Sequence, residues 1–128
     1  MSTVSVILIS HGDLADAMLA AAEGILGPQE DCHAIGVAPG EALSGLQQCC
    51  RALLARRPAV VLADLALGSP ANVIRPLLGE DAVLVTGMNL GMVVEALWAR
   101  GSSEDPAEVA SAAAKVGREQ IASYPTGD

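Results

Sequence analysis

Residues 3–19, TVSVILISHGDLADAML, carry the pattern that decides the fold. Residues 3–10 form an apolar, β-branched run of strand length, and apolar residues then recur at helical spacing. Asp13 is expected to cap that helix at its start, and Gly27 with Pro28 is expected to end it. The stretch therefore predicts a buried strand that leads through a short loop into a helix. The buried side of the helix is predicted to carry Leu14, Met18, Leu19, Ala22, Ile25 and Leu26.

The same alternation of strand and helix recurs along the rest of the chain. Because repeated strand–helix units place strands parallel in one sheet, we predict an α/β fold. Its form is a doubly wound open sheet of four parallel strands, in the order 2-1-3-4, with helices on both faces and residues 1–128 in a single domain. The predicted elements are strands over 33–38, 59–64 and 82–86, and helices over 41–57, 69–78 (capped by Ser69), 90–99 and 106–124, the last losing its pattern after Gly117.

Composition limits the kinds of partner that the protein can have. The 128 residues include no Phe, one Trp and one Tyr, so the core must be aliphatic. Seven basic residues against fifteen acidic ones give a net charge of −8, which disfavours binding to nucleic acid. A partner protein with a basic docking face fits this charge better.

The cysteines and the apolar runs indicate a cytoplasmic protein without a structural metal. Cys32, Cys49 and Cys50 form no CxxC pair and lack the spacing of zinc ligands, so buried or half-buried thiols are expected. No run approaches the roughly 20 apolar residues that a membrane-spanning helix needs. We therefore expect a soluble, cytoplasmic chain that carries no metal or cofactor.

Polar residues follow three of the predicted strands at their carboxyl ends, where open α/β sheets bind ligands. Asp64 follows the third strand and begins a loop that contains Gly68 and Ser69. The first strand ends at Ser10, His11 and Gly12, and the fourth is followed by Gly87, Met88 and Asn89. An imidazole with one ring nitrogen held by a carboxylate is a competent nucleophile for phosphoryl transfer. The region has no lysine and no GxxxxGK[ST] loop, so the phosphoryl group is expected to come from another protein.

Each of these residues also has a purely structural interpretation. A histidine at a strand end is often a surface or capping residue, and Asp64 could simply close a turn. Ser69 suits a helix cap, and Asn89 suits a turn. His33 is predicted to lie at the opposite end of the sheet and to be structural. The convergence of several such residues on one edge is what favours a functional site.

The chain resembles the mannose-type IIA domains of the bacterial sugar phosphotransferase system over nearly its whole length, from Val6 to about Tyr124. The resemblance rests on motifs that keep their order and spacing. These are His11-Gly12, AEGILG at 22–27 with Gln29-Glu30, VAPGE at 37–41, Asp64-Leu65 with Gly68-Ser69-Pro70 and Asn72, TGMNL at 86–90 with Met92, Ala99-Arg100, and Gly117-Arg118-Glu119.

The resemblance implies a role for each matching site residue. It implies that His11 is phosphorylated on Nε2, that Asp64 holds the Nδ1 hydrogen, and that Ser69 helps bind the phosphoryl oxygens. Gly68, Ser10 and Asn89 would border the same pocket. The implied partners are the phosphocarrier protein HPr, a IIB component, the membrane components IIC and IID indirectly, and a second copy of the chain. In that homodimer a C-terminal antiparallel strand, here residues 120–124, crosses to the other subunit.

Three departures from the family pattern affect the surroundings of the histidine. Leu67 replaces the first glycine of a usual pair, which predicts a stiffer or differently shaped loop. Ala66 and Ala71 stand where bulkier residues are common, which predicts a thinner rim around His11. Gly91 replaces a usual proline at the start of the fourth helix. All three leave the candidate catalytic groups in place.

Three alternative functions remain open at this point. Histidine phosphatases also place His-Gly after the first strand, but they need an arginine where this chain has Ser10, and they need a second catalytic histidine. The phosphotransfer subunit of dihydroxyacetone kinase shares the fold and the histidine, although the GSPxN loop and the GxN turn favour the mannose type. A regulatory protein of the same fold would bind partners without transferring phosphoryl groups.

Overall fold

The computed structural model describes residues 4–125 and 127. Strands and helices alternate as the sequence predicts, and a single 3₁₀ turn, Arg75–Leu77, extends the third helix. The elements are β1 (Ser5–His11), α1 (Leu14–Leu26), β2 (Cys32–Val37), α2 (Ser44–Arg56), β3 (Ala59–Ala63), α3 (Ser69–Ile74), β4 (Ala82–Thr86), α4 (Leu90–Ala99) and α5 (Pro106–Glu119).

The four strands form one sheet in the order β2-β1-β3-β4, and every neighbouring pair is parallel. This confirms the predicted fold class and strand order. Because β1 lies between β2 and β3, its residues are buried up to Ser10, and only His11 reaches an exposed position. The carboxyl end of β1 therefore lies at the middle of one sheet edge.

Helices cover both faces of the sheet, each over its own apolar cluster. On one face α1, α4 and α5 pack against Val6, Leu8, Val60 and Leu62. On the other face α2 and α3 pack against the alternate strand residues, which include Ile7, Ile9 and Val61. Small and branched aliphatic side chains fill both layers, as expected for a chain without Phe.

A close approach between β2 and the loop after β1 fixes the position of His11. The Gly12 amide donates to the Val37 carbonyl at 2.8 Å, and Gly12 itself has a positive φ of 57°. A Cβ at Gly36 would lie 1.9 Å from the Gly12 carbonyl oxygen, a separation that no side chain can adopt. Glycine is therefore required at position 36 for the chain to turn directly after His11.

The start of α1 confirms the predicted cap position but not a capping bond from Asp13, and the predicted cap of α3 was wrong. Asp13 occupies the cap position of α1, but its side chain makes no capping hydrogen bond. Instead the Ser10 hydroxyl oxygen accepts from the Ala15 amide at 2.8 Å. Ser69 is the first residue of α3, so Gly68 takes the cap position without a side-chain bond.

Four predictions about side-chain burial were also wrong. Leu14 and Ile25 are exposed. The buried face of α1 is centred on Ala15 and Ala22, and the two larger aliphatic side chains lie at the margin of that face. Cys49 is exposed, because it lies on the outer side of α2 next to the buried Cys50. Ala71 is fully buried, so it belongs to the core beneath the loop and not to the rim around His11.

Helix α5 ends at Glu119, and residues 120–125 adopt no regular secondary structure. Within the described part of the chain, β4 pairs with β3 alone and is an edge strand, as predicted. The C-terminal antiparallel strand stays a prediction. Across residues 4–125 and 127, no helix has both the length and the apolar character needed to cross a membrane.

Candidate functional site

The histidine at the end of β1 is exposed on one edge of its ring and anchored on the other. Its Nδ1 lies 2.8 Å from Asp64 Oδ2, and its backbone amide donates to the same oxygen at 2.9 Å. The His11 side chain is 49% exposed, whereas that of Asp64 is 9% exposed. One carboxylate oxygen therefore fixes both the ring and the backbone of His11.

The carboxylate follows β3, the strand beside β1, and it stays ionised at neutral pH. Burial raises the pKa of Asp64, but hydrogen bonds from the His11 amide and ring and from the Leu65 amide outweigh that effect. The net result is a lowered pKa. Because an ionised carboxylate can only accept hydrogen bonds, Nδ1 of His11 must carry the hydrogen. In the neutral imidazole, Nε2 then keeps its lone pair, as a nucleophile requires.

The loop between β3 and α3 lies directly against the histidine ring. A Cβ at Gly68 would lie 2.6 Å from His11 Cε1 and 3.3 Å from Nε2, so only glycine permits this approach. Two side chains from beyond the loop hold its backbone. Arg75 Nη2 donates to the Ala66 carbonyl at 3.0 Å, and Asn72 Nδ2 donates to the Leu67 carbonyl at 3.4 Å.

A recess of about 520 Å³ opens beside the ring. Ser69 and Pro70 line it from α3, and the segment 37–41 with Leu43 lines the opposite wall. That segment is kept in shape by Glu41, whose Oε1 accepts from the Ala38 amide at 2.8 Å. Ser69 thus lines the same open recess as His11, and its role in binding phosphoryl oxygens stays a prediction.

Ser10 and Asn89 lie at the same sheet edge, but hydrogen bonds within the protein already engage their side chains. Ser10 is fully buried, and its hydroxyl accepts from Ala15 and donates to the Gly12 carbonyl at 3.4 Å. Asn89 caps α4 through Oδ1, which accepts from Met92, while Nδ2 donates to the Gly117 carbonyl. A phosphoryl-binding role for these two residues stays a prediction.

The second histidine lies at the opposite end of the sheet, as predicted. His33 is the second residue of β2, and its Nε2 lies 2.9 Å from Asp31 Oδ1. Arg57 and Ser5 bond the other oxygen of Asp31. Among residues 4–125 and 127, no three His, Cys, Asp or Glu side chains are grouped as a metal site would require.

Sequence reasoning missed Arg75, which holds the loop, and the exposure of Leu67 within it. Arg75 is nine positions from its partner Ala66 and belongs to no motif, so no sequence signal marked it. Leu67 was noted as a departure from the family pattern, but its orientation could not be predicted. Its side chain is 82% exposed, next to the residue that touches the His11 ring.

Fold and site define a class: small α/β proteins that present an oriented histidine at the carboxyl edge of a parallel sheet. Residues 5–114 match the family model described as "PTS system fructose IIA component" (EIIA-man), which is most of the chain. The chain belongs to this family, so it is a IIA component of the mannose family of the phosphotransferase system, the system of sugar transport.

Individual relatives agree with this assignment. The chain is 31% identical over 125 residues to the mannose-specific EIIAB component of Escherichia coli strain K12, covering 93% of this chain and 39% of the relative. It therefore spans about two fifths of the length of the curated relatives it matches. The mannose/sorbose-specific IIA subunit of Enterococcus faecalis is 30% identical with a TM-score of 0.84, and the match covers 98% of both chains. The EIIA component of Streptococcus agalactiae is 26% identical with a TM-score of 0.88, and that match covers 94% of this chain and 96% of the other.

Proposed function

We propose that this chain is a phosphoryl carrier that accepts a phosphoryl group from phospho-HPr on His11 and passes it to a IIB component during sugar uptake. The observation that carries this proposal is the 2.8 Å contact between His11 Nδ1 and an ionised, largely buried Asp64, beside a half-exposed ring. Membership of the IIA family gives the general role, and the geometry supports His11 as the residue that carries the phosphoryl group.

The transfer step needs only groups that the site and the donor contain. The Nε2 lone pair of His11 attacks phosphorus, and the N–P bond between the donor histidine and phosphorus breaks, leaving its electron pair on that nitrogen. The Nδ1 hydrogen stays in place, and the positive charge that forms on the ring lies against the Asp64 carboxylate at 2.8 Å. Transfer to IIB repeats the same step with the roles of nucleophile and leaving group exchanged. Protein-histidine phosphotransferase is thus the proposed enzyme class.

The phosphoryl oxygens need donors while the group is bound. Ser69 is the first candidate, because this hydroxyl-bearing residue lines the same recess as His11. Gly68 contributes by having no side chain, since a Cβ there would lie 3.3 Å from Nε2 and take up space beside the bound group. Ser10 and Asn89 rank behind these two, since reaching a phosphoryl group would require them to give up hydrogen bonds within the protein.

We propose that the chain works in the cytoplasm, as a single domain and a homodimer. Through IIB it is coupled to the membrane components IIC and IID. No cofactor enters the proposed reaction. The relatives' names mention mannose and sorbose. In the proposed role the chain passes its phosphoryl group to a protein and does not contact the sugar.

The test is phosphorylation by the purified donor chain of proteins. Incubation with phosphoenolpyruvate, the first enzyme of the system and HPr should add a single acid-labile, base-stable phosphoryl group, measured by intact mass. His11→Ala should abolish the addition, and His33→Ala, the matched histidine control, should leave it unchanged. Both variants should keep the wild-type circular dichroism spectrum.

Labelling of the His11→Ala variant to the wild-type extent would contradict the proposal. Transfer onward separates the alternative functions that the sequence left open. A phosphorylated chain that discharges to a dihydroxyacetone kinase and not to IIB would assign it to that system. A chain that HPr does not phosphorylate at all would indicate a regulatory protein.

A further inference from the structure

The loop between β3 and α3 displays two leucines to solvent beside the reactive histidine. Leu65 is 57% exposed and Leu67 is 82% exposed, and Ala66 between them is also exposed. Isolated exposed leucines are common on protein surfaces and need no explanation by themselves. Leu67 differs from such residues in two ways: its backbone is held by hydrogen bonds, and it lies close to His11.

The backbone around Leu67 is held on both sides. Its own carbonyl accepts from Asn72 Nδ2, and the preceding carbonyl, that of Ala66, accepts from the Arg75 guanidinium. Asp31 is the sole non-glycine residue with a positive φ among those described, so Leu67 adopts an ordinary backbone conformation. Leucine is thus accommodated here without strain, and the loop does not need the glycine that the family pattern carries at this position.

The next residue, Gly68, places this support against His11. Because a Cβ at Gly68 would lie within 3.3 Å of Nε2, Leu67 is joined through one peptide bond to a residue in contact with the ring. Any protein that brings a phosphorylated side chain to Nε2 must cover this part of the loop. A protruding apolar side chain at that place either finds an apolar partner surface or opposes the approach.

Resting on the proposed function, we propose that Leu67 is a partner-recognition residue, which inserts into an apolar recess beside the phosphorylated side chain of the donor protein. Ala66 is too small to compete for that recess, and Ala71 is buried beneath the loop, so Leu67 is the prominent apolar feature between Leu65 and the ring. The contact selects among donor proteins by shape and polarity. A donor whose surface at that position is polar, or has no recess, binds less well.

The test is a comparison of steady-state kinetics with phospho-HPr as the varied substrate. Leu67→Asn keeps the side-chain size but removes its apolar character, and it leaves both backbone hydrogen bonds available. Its KM should rise about tenfold or more, with kcat within about twofold of wild type. Leu67→Met, which keeps an apolar side chain, should stay within about twofold in both parameters.

The matched control is Ile25→Asn, because Ile25 is 62% exposed at the far end of α1, at the opposite edge of the sheet. It should leave KM for phospho-HPr unchanged. The inference is overturned if Leu67→Asn keeps a wild-type KM, if it lowers kcat instead, or if Ile25→Asn raises KM equally. In all three outcomes wild-type phosphorylation of His11 still stands, whereas a wild-type chain that phospho-HPr does not label contradicts the proposed function as well.

Discussion

At the scale of single residues, the arrangement of His11 is asymmetric. Asp64 Oδ2 receives both the ring hydrogen and the backbone hydrogen of the histidine, so the ring cannot rotate without losing its carboxylate. The opposite ring edge faces the recess that Ser69 and Pro70 line. Nδ1 therefore holds the ring in its orientation, and the other edge of the same ring is open to a partner.

Replacing the carboxylate should damage transfer more than folding. Asp64→Asn keeps the size of the side chain, but an amide can donate to Nδ1 and so place the hydrogen on Nε2, the nitrogen that must attack. The rate of phosphoryl transfer from phospho-HPr, measured by rapid quench, should fall on the order of a hundredfold or more. A rate within about twofold of wild type would reduce Asp64 to a structural turn residue.

The same pair makes stability depend on acid in a defined direction. Because the folded-state pKa of Asp64 is lowered below its usual value of 3.8, the carboxylate contributes stability above that value. The contribution is lost as the pH falls through the folded pKa. The free energy of unfolding of wild type should therefore drop more steeply in this acidic range than that of Asp64→Asn.

At the scale of elements, the loop before α3 depends on one glycine. Alanine at position 68 would place its Cβ 2.6 Å from His11 Cε1, so either the loop or the ring must move. Since a displacement near 1 Å can cost about a hundredfold in rate, Gly68→Ala should slow transfer by about tenfold to a hundredfold.

The fold should survive that change, because the contact lies at the exposed edge of the sheet. Gly79→Ala is the matched control: Gly79 is also a loop glycine, but a Cβ there meets no atom within 4 Å. Both variants should unfold at temperatures close to that of wild type. If Gly68→Ala transfers phosphoryl groups at the wild-type rate, the close approach of the loop has no catalytic role.

Periodicity predicted the elements well, because each strand is a short apolar run and most helices keep one apolar side. The position of His11 and Asp64 at one sheet edge could be predicted for the same reason. Both residues follow predicted strands, and parallel strands end at one edge. The predictions failed where side chains compete for one role. Asp13 occupies the cap position of α1, but Ser10 accepts the hydrogen bond from the helix start, and nothing in the local sequence pattern distinguishes the two side chains.

Contacts made by the ends of long side chains were beyond the reach of sequence reasoning. Arg100 is the clearest case, a buried arginine whose guanidinium donates to the carbonyls of Val4, Glu30 and Asp31 and to the Gln29 side chain. These partners are about 70 to 96 positions away along the chain. The Arg75 contact with the loop before α3 escaped prediction in the same way, because composition and spacing do not show where a long side chain ends.

At the scale of the whole molecule, the edge strand β4 has backbone groups that can pair with a further strand. A groove of about 660 Å³ runs along β4 and α5, lined by Val83, Val85, Ala110, Ser111 and Ile121 among others. Ile121 and Tyr124 are both more than 80% exposed. An antiparallel strand from a second copy would satisfy the backbone groups of β4 and cover these two side chains.

Removing the C-terminal segment should therefore weaken the proposed homodimer. A chain that ends at Arg118 should shift toward the monomer in light scattering at micromolar concentration, and its unfolding temperature should fall. His11 should remain open to phosphorylation, because it follows the central strand β1, whereas the C-terminal segment is proposed to pair with the outermost strand β4. A full-length monomer, or a shortened chain that dimerises equally tightly, would rule out this assembly.

The measurement that tests the central claim most directly is the site of the phosphoryl group on the ring. Nuclear magnetic resonance of the ¹⁵N-histidine-labelled protein, after phosphorylation through HPr, resolves which nitrogen is bonded to phosphorus. We predict phosphorus on Nε2 of His11, a hydrogen retained on Nδ1, and an unmodified His33. Phosphorus on Nδ1 would contradict the orienting role of Asp64, and phosphorus on His33 would contradict the assignment of the site.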